Sequence, residues 1–429
     1  MSGGSVISPV GPMPLRWRDP AAQERIADFL AALVAAALPW STSLVAIFAV
    51  AWLIAVAPTL DPKTFKELLR RPICALPVAL FLLAAVGTLW SDAPWGTRFH
   101  AIGPTVKLLV LPVLIYHFER STRGAWVFVA FLVSCSLLMA VSWIVAFNPN
   151  LSLKPPDPAE RGIFVKNYID QSQEFALCAV ALAYPIVNLL GKSRFVLATL
   201  LTAIALSFIS NMAFVIVSRT ALVTMPIMLA VFALIHLKWR NVIIVFCSMA
   251  VLAGFVWLAS PNLQAKTASF WSEYRGYRES NSATSIGLRL EFWRKSLLFF
   301  LDAPIAGNGT GSTIGLFERT AGQTGASAEV IGNPHNQTLN VAVQWGAIGI
   351  VVLYAMWLAH LLMFRGDGLA NWIGLLVVVQ NVSTSLFNSH LFDFHEGWMY
   401  VLGVGTAGGM ALKTEFGKEK TISENSATR

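Results

Sequence analysis

Residues 337–363 read QTLNVAVQWGAIGIVVLYAMWLAHLLM, a stretch without a single aspartate, glutamate, lysine or arginine. An α-helix rises about 1.5 Å per residue, so this stretch is long enough to cross the roughly 30 Å hydrocarbon core of a bilayer. The stretch therefore predicts a transmembrane helix.

Similar apolar stretches recur along nearly the whole chain, and they predict twelve spans. The predicted spans are 26–39, 41–60, 74–91, 101–117, 124–147, 172–190, 194–210, 212–236, 241–260, 337–363, 368–387 and 397–413.

The composition supports this reading. Hydrophobic residues make up 56% of the 429 residues, charged residues make up 13%, and the mean hydropathy is +0.63. A soluble protein normally carries about 25% charged residues, so the composition excludes an ordinary soluble enzyme. The four cysteines form no Cys-x-x-Cys pair, which argues against a zinc site or a disulfide framework. We therefore predict an all-α, polytopic integral membrane protein.

The basic residues predict the orientation of the spans, because cytoplasmic loops are enriched in lysine and arginine. If the N-terminus faces the cytoplasm, every short inner segment is basic. The short outer connections then hold only Arg98, Lys154, Arg161 and Lys166. The net charge of +8 is thus explained by loop placement and not by nucleic acid binding. Cytoplasmic tails are expected at 1–25 and 414–429.

Two hydrophilic outer segments remain in which chemistry can be sited. Segment 148–171 lies within a first membrane block at 26–260, which holds nine predicted spans. Segment 261–336 separates that block from the last three spans at 337–413. A loop as long as the second segment is usually functional or disordered, so we expect it to carry function.

Two cations, Lys107 and Arg219, fall inside predicted spans. Each lies roughly 10 Å from the outer end of its helix, where a charge costs at least ~2.5–3.5 kcal/mol without a partner. The sequence shows no carboxylate at that depth, so we expect an anionic ligand such as a phosphate or diphosphate. Alternatively, Lys107 extends to the interface and Arg219 pairs with Asp170, Glu174 or main-chain carbonyls.

His335 lies just before the span that begins at Gln337. Pro334 disfavours helix in the residue before it, and Asn336 can cap the helix that follows. The imidazole should then lie at the outer mouth of the membrane domain. A neutral histidine there could accept a proton from a hydroxyl, although a capping-region histidine without a catalytic role would fit the same position.

The run HLFDFHEG at 390–397 contains residue types that bind metals. Its spacing matches no zinc signature, and a polar turn at the membrane interface explains it equally well. The outer segments also contain no Asp-x-Asp pair. We therefore expect neither a metal nor another cofactor.

Three stretches resemble the O-antigen ligase and polymerase superfamily of bacterial envelope enzymes. SRTALV (218–223) resembles the membrane arginine of the family. GLRLEFWRKSLLFFLDAPIAGNGTGS (287–312) resembles its Arg-x-x-x-Trp helix followed by a Pro-x-x-Gly-x-Gly turn. GNPHNQTLNVAVQWGAIGIVVL (332–353) resembles its His-Asn motif and the Gly-x-x-Gly step beyond it. The likeness covers roughly the C-terminal half of the chain.

The resemblance implies a GT-C-like fold and a glycosyltransferase at the periplasmic face of the bacterial inner membrane. In the ligase branch, the donor is an undecaprenyl-diphosphate O-antigen and the acceptor is a sugar hydroxyl of lipid A–core. The family is metal-independent and inverts the anomeric carbon. The resemblance further implies that Arg219 and Arg289 hold the diphosphate and that His335 is the general base.

Five more residues complete the predicted site: Lys107, Arg161, Lys166, Trp293 and Asn336. Arg289 and Trp293 are four residues apart on a predicted helix and therefore share a face. Arg161 and Lys166 would contact the diphosphate or phosphates of the core, with simple solvation as the alternative reading.

Three other functions compete with this one. An O-antigen polymerase would use the same donor but another lipid-linked repeat unit as acceptor, and a protein O-oligosaccharyltransferase would modify a polypeptide. A transporter could use Lys107 and Arg219 to pass an anion, but we see no duplicated halves, which such transporters often have.

Overall fold

The computed structural model describes residues 20–153, 161–216 and 218–427. These residues form eighteen α-helices. The helices are α1 (Pro20–Ala37), α2 (Thr42–Val56), α3 (Pro62–Leu69), α4 (Pro72–Val86), α5 (Trp95–Val106), α6 (Val110–Arg120), α7 (Ala125–Phe147), α8 (Tyr168–Ala181), α9 (Ala183–Gly191), α10 (Phe195–Phe214), α11 (Arg219–His236), α12 (Trp239–Ala259), α13 (Pro261–Ser280), α14 (Ser285–Asp302), α15 (Thr313–Arg319), α16 (Gln337–Met363), α17 (Leu369–Thr384) and α18 (Phe394–Ala427).

Many of these helices have the length and hydropathy of membrane spans. Eight stretches qualify, each a single helix or consecutive helical segments: Thr42–Thr59, Pro72–Leu89, Trp95–Arg120, Ala125–Phe147, Tyr168–Gly191, Phe195–Phe214, Trp239–Ala259 and Gln337–Met363. Val223–His236 and Leu369–Thr384 are shorter apolar helices. The all-helical, multi-pass membrane architecture is thus confirmed, whereas the total of twelve spans stays a prediction.

The outer surface of the bundle is suited to lipid. Large aliphatic side chains point outward, including Ile54, Val196 and Val251, which are 69%, 84% and 74% exposed. Such exposure would be costly in water but is expected where a helix faces acyl chains.

Helix α18 packs closely against α6 through glycines. A Cβ atom at Gly409 would lie 2.7 Å from the main-chain nitrogen of Glu119, so only glycine allows this approach. The pairing places the amino end of α18 beside Lys107, which lies in the turn between α5 and α6.

Helix α16 is broken at Gly346, where φ is +59° and ψ is −152°. The turn at 304–309 inserts at this break. The main-chain nitrogen of Ala347 donates to the carbonyl of Pro304 (2.8 Å), and the nitrogen of Asn308 donates to the carbonyl of Val343 (2.9 Å). The turn thus satisfies main-chain groups that the break would otherwise leave unpaired inside the membrane domain.

The predicted outer segment contains α13, α14 and α15. Glu291 of α14 accepts a hydrogen bond from the Tyr277 hydroxyl of α13 (2.7 Å) and two from the Arg294 guanidinium. Phe292 and Phe317 pack with Phe299 and with Val343 of α16 in a small separate core. These contacts fix α14 and α15 against α16, while the domain boundaries themselves stay predictions.

We expect Gly346→Ala to lower the thermal unfolding temperature of the purified protein in detergent. The backbone conformation at this position is essentially restricted to glycine, and adopting it costs another residue of order 1–3 kcal/mol. A Cβ atom would also overlap the carbonyl of Ile305. Gly103→Ala is the matched control, because Gly103 lies in α5 with no atom within 4 Å of an added Cβ. Equal unfolding temperatures for both variants would contradict the role of the break.

Candidate active site

His335 lies in the turn before α16 with a left-handed backbone, at φ +52°. Its main-chain nitrogen donates to Oδ1 of Asn333 (3.0 Å), which stabilises this uncommon conformation. Its half-buried ring stacks on Phe292 of α14, with 6.2 Å between ring centroids and 29° between planes. The hydrogen bond to Asn333 and the stacking on Phe292 together restrict the orientation of the imidazole.

The Nδ1 atom of His335 lies 2.7 Å from Oδ1 of Asn388. An amide oxygen only accepts hydrogen bonds, so this contact places the ring proton on Nδ1. The Nε2 atom then keeps its lone pair and can accept a proton.

The surroundings of His335 favour its neutral form. Burial lowers the pKa of His335 below its ordinary value of 6.5. The hydrogen bond with Asn388 raises this pKa, and the nearby charge of Arg289 lowers it further. The net shift is downward, so the imidazole is neutral at pH 7 and able to act as a base.

The segment that carries Asn388 is hydrogen-bonded to the His335 turn. The main-chain nitrogen of Gln337 donates to the carbonyl of Ser385 (2.9 Å), and the nitrogen of Leu391 donates to Oε1 of Gln337 (3.1 Å). The hydroxyl of Ser389 donates to Oδ1 of Asn333 (2.6 Å). The turn that carries His335 and the segment that follows α17 therefore form one hydrogen-bonded unit.

Asn336 caps α16, as the sequence predicts. Its Oδ1 accepts from the main-chain nitrogen of Leu339 (3.0 Å), and its Nδ2 donates to the carbonyl of Leu386 (3.1 Å). Asn336 thus belongs to the same hydrogen-bonded unit, and its predicted contact with substrate stays a prediction.

Helix α14 brings Arg289 to the same place. Arg289 is half-buried, and its charge acts on both His335 and His390. Trp293, one turn along the same helix, has a buried indole Nε1 that makes no hydrogen bond within the described part of the chain. The structure therefore brings Arg289 near His335, whereas Trp293 packs against the small core of Phe292, Phe299, Phe317 and Val343. A contact of Trp293 with substrate stays a prediction.

Residues 203–354 match the family model described as O-antigen ligase. The matched segment runs from α10 into α16 and contains Arg219, Arg289 and His335. The match covers about a third of the chain, and over that segment the chain is similar to the O-antigen ligase family. The resemblance drawn from the three sequence motifs is thereby confirmed. No curated protein gave a significant match.

Arg219 is the first residue of α11 within the matched segment, and Ser218 caps this helix. The side chain of Arg219 lies outside the described residues, so its predicted contact with the diphosphate stays a prediction. The two carboxylates considered as its partners contact other groups. Asp170 lies 2.7 Å from Nδ1 of His395, and Glu174 lies 2.8 Å from Nζ of Lys166.

Lys107, for which the sequence shows no carboxylate partner, is bound by main-chain carbonyls. Lys107 is buried at 6% exposure, and its Nζ donates to the main-chain carbonyls of Phe392 (3.0 Å) and Asp393. Gly397 leaves the space that the ammonium occupies, because a Cβ atom there would overlap Nζ. The observed contacts fix the segment that follows α17, and binding of diphosphate by Lys107 stays a prediction.

The two basic residues predicted as secondary contacts differ in their surroundings. Lys166 is buried and pairs with Glu174, and its Nζ also donates to the carbonyl of Leu38. Arg161 is exposed, and its Nε donates to the carbonyl of Ala146 (3.2 Å). The contacts of Lys166 point to a structural role, whereas Arg161 keeps an accessible side chain. Substrate binding by either residue stays a prediction.

His390, Asp393 and Glu396 lie close together where the segment after α17 leads into α18. Their potential ligand atoms lie within 4.8 Å of one another, so these three side chains could hold a metal ion. The ammonium of Lys107 lies near enough to Asp393 and Glu396 to interact with their charge, and it would repel a second cation there. Metal independence stays a prediction of the resemblance.

Sequence reasoning missed Asn388. It lies 53 residues from His335, and no local spacing rule relates the two. The signal that was available is the polar run of Asn388, Ser389 and His390, which follows directly after an apolar span.

We expect Lys166→Met to destabilise the protein, because it leaves Glu174 buried without its cation. Removing one partner of a buried pair costs about 3–5 kcal/mol. The thermal unfolding temperature in detergent should therefore fall, and adding Glu174→Gln should restore most of it. Arg161→Met is the control and should change little. An unchanged unfolding temperature for Lys166→Met would contradict the structural role.

Proposed function

We propose that this protein transfers O-antigen polysaccharide from undecaprenyl diphosphate to a sugar hydroxyl of lipid A–core, at the periplasmic face of the inner membrane. One observation carries the proposal: the His335 ring contacts Oδ1 of Asn388 through Nδ1, burial lowers the pKa of this histidine, and Arg289 lies near it within the segment that matches the O-antigen ligase family model.

The chemistry needs a base for the acceptor. Nε2 of His335 would take the proton of the acceptor hydroxyl while the hydroxyl oxygen bonds to the anomeric carbon of the donor sugar. The bond between that carbon and the phosphate oxygen breaks, and the diphosphate leaves with the electron pair. Attack from the side opposite the leaving group inverts the anomeric carbon, in agreement with the family.

The leaving diphosphate needs positive charge. Arg289 and Arg219 would hold the phosphate oxygens, since a guanidinium can bind two of them at once. Fixed cations in a site from which water is excluded stabilise developing negative charge more than solvent would. The proposed reaction therefore needs no metal ion.

A strain lacking the gene distinguishes the ligase from the polymerase. For a ligase, lipopolysaccharide on a gel should consist of lipid A–core alone, with lipid-linked polymer accumulating. A core that carries a single repeat unit would instead identify a polymerase. Complementation with His335→Ala should leave the core unmodified, since loss of a general base lowers the rate by roughly 10²–10⁴. His100→Ala, which changes an exposed histidine on α5, should restore normal lipopolysaccharide.

The pH dependence of transfer tests the role of Asn388. Only neutral His335 can act as a base, so kcat/KM should fall as the pH drops through a pKa below 6.5. Asn388→Ala removes a contact that raises this pKa, so the acidic limb of the profile should move to lower pH and the maximal rate should fall. Asn371→Ala, at a half-buried position in the first turn of α17, should leave the profile unchanged. An unmoved limb in Asn388→Ala would contradict the assignment.

A further inference from the structure

A polar cavity of about 500 Å³ lies beside the candidate site. One wall is the loop before α5, which contributes Trp90 and Asp92, and the opposite wall is α15, which contributes Ile314, Glu318 and Arg319. The floor is the glycine-rich turn at 307–312. The volume lies within the range of about 300–1,000 Å³ that is typical of ligand pockets.

The wall formed by the loop before α5 is held in shape without a ligand. The guanidinium of Arg98 donates to the carbonyls of Ala93 (2.5 Å) and Thr88 (2.8 Å). Its Cζ atom also lies 4.4 Å from the centroid of the Trp95 ring. Arg98 does not line the cavity but fixes this loop through these contacts, so the wall of the cavity is preorganised.

The floor of the cavity is connected to the catalytic turn by hydrogen bonds. The nitrogen of Gly311 donates to Oε1 of Gln344 (2.9 Å), and Nε2 of Gln344 donates to Oδ1 of Asn340 (2.7 Å). Nδ2 of Asn340 donates to the Ser389 hydroxyl (3.1 Å), which in turn donates to Asn333. The cavity and the imidazole are thus held in a fixed relation to each other.

The lining suits a sugar chain better than a lipid tail or a diphosphate. Glu318 offers an exposed carboxylate that can accept hydrogen bonds from hydroxyl groups. Asp92 and Arg319 form an exposed ion pair, with 3.9 Å between a guanidinium nitrogen and a carboxylate oxygen, and both can also bond to hydroxyl groups. The Trp90 ring and the Ile314 side chain offer apolar surface to a pyranose face. Glu318 leaves the lining with a net negative charge, which disfavours a diphosphate, and a polar lining disfavours a hydrocarbon chain.

The cavity and Arg219 belong to different helix neighbours of α16. Arg219 begins α11, which packs against α17, and α17 packs against α16. The loop that lines the cavity follows α4, which packs against both α16 and α5. In an in-line displacement, the attacking hydroxyl approaches opposite the departing diphosphate. A cavity formed by other helices than the one that begins with Arg219 therefore suits the acceptor better than the diphosphate.

We propose that this cavity binds the oligosaccharide of the acceptor and presents its hydroxyl to His335. This assignment of the acceptor rests on the proposed function. Gly332, in the same turn as His335, lies close to Ile314, so the cavity adjoins the turn that carries the imidazole.

Filling the cavity should weaken acceptor binding without unfolding the protein. Gly315 lines the cavity from α15, and a Cβ atom there would meet no atom closer than 3.9 Å. Gly315→Leu should raise the KM for the acceptor about tenfold, the effect of losing one or two net hydrogen bonds. The kcat and the KM for the donor should stay unchanged. Gly96→Leu is the matched control, because Gly96 also has free space around it but does not line the cavity.

A second pair of variants removes only charge. Glu318→Gln should raise the acceptor KM, whereas Glu329→Gln, at an exposed position outside the cavity, should not. An unchanged acceptor KM in both Gly315→Leu and Glu318→Gln overturns the proposal. A raised KM for the donor alone overturns it as well and assigns the cavity to the donor glycan.

Direct binding separates this inference from the proposed function. Saturation-transfer NMR with the detergent-solubilised protein and free core oligosaccharide measures binding without any transfer reaction. Wild type and Gly96→Leu should show binding, and Gly315→Leu should lose it. Equal binding by all three proteins overturns the cavity assignment. Binding in this pattern by a protein that transfers no glycan would support the cavity and contradict the proposed reaction.

Discussion

The insertion of the turn at 304–309 into the break of α16 is the contact on which the positions of α14 and α15 depend. A helix broken inside a membrane domain exposes main-chain groups that lipid cannot satisfy. Here Pro304 and Asn308 bond the groups on both sides of Gly346. Because α14 leads into this turn and α15 follows it, the same contact fixes both helices on the membrane domain.

The candidate site is built outward from that contact. The turn that carries His335 directly precedes the amino end of α16. Helix α14 places Phe292 and Arg289 beside this turn. The segment after α17 supplies Asn388 and is held from below by Lys107. Three stretches that are distant in sequence thus meet at one imidazole. The site is rigid because each stretch is bonded to another.

Much of the fold follows from the sequence because hydropathy is a local property. Most predicted spans coincide with one helix or with consecutive helices, whereas 212–236 begins in the last residues of α10 and continues in α11. The predicted cap at Asn336 is confirmed. The contacts of Lys107 were not predictable in the same way. A search for carboxylate partners overlooks main-chain carbonyls, and the carbonyls of Phe392 and Asp393 lie more than 280 residues away. The pairing of His335 with Asn388 depends equally on tertiary structure.

The break in α16 has an electrostatic consequence for the site. It leaves a short helical segment, 337–345, whose amino end adjoins His335. Aligned peptide dipoles give such an end a partial positive charge of up to about half an elementary charge. Part of the positive field at the proposed diphosphate site would therefore come from the main chain. It would persist if every arginine nearby were replaced.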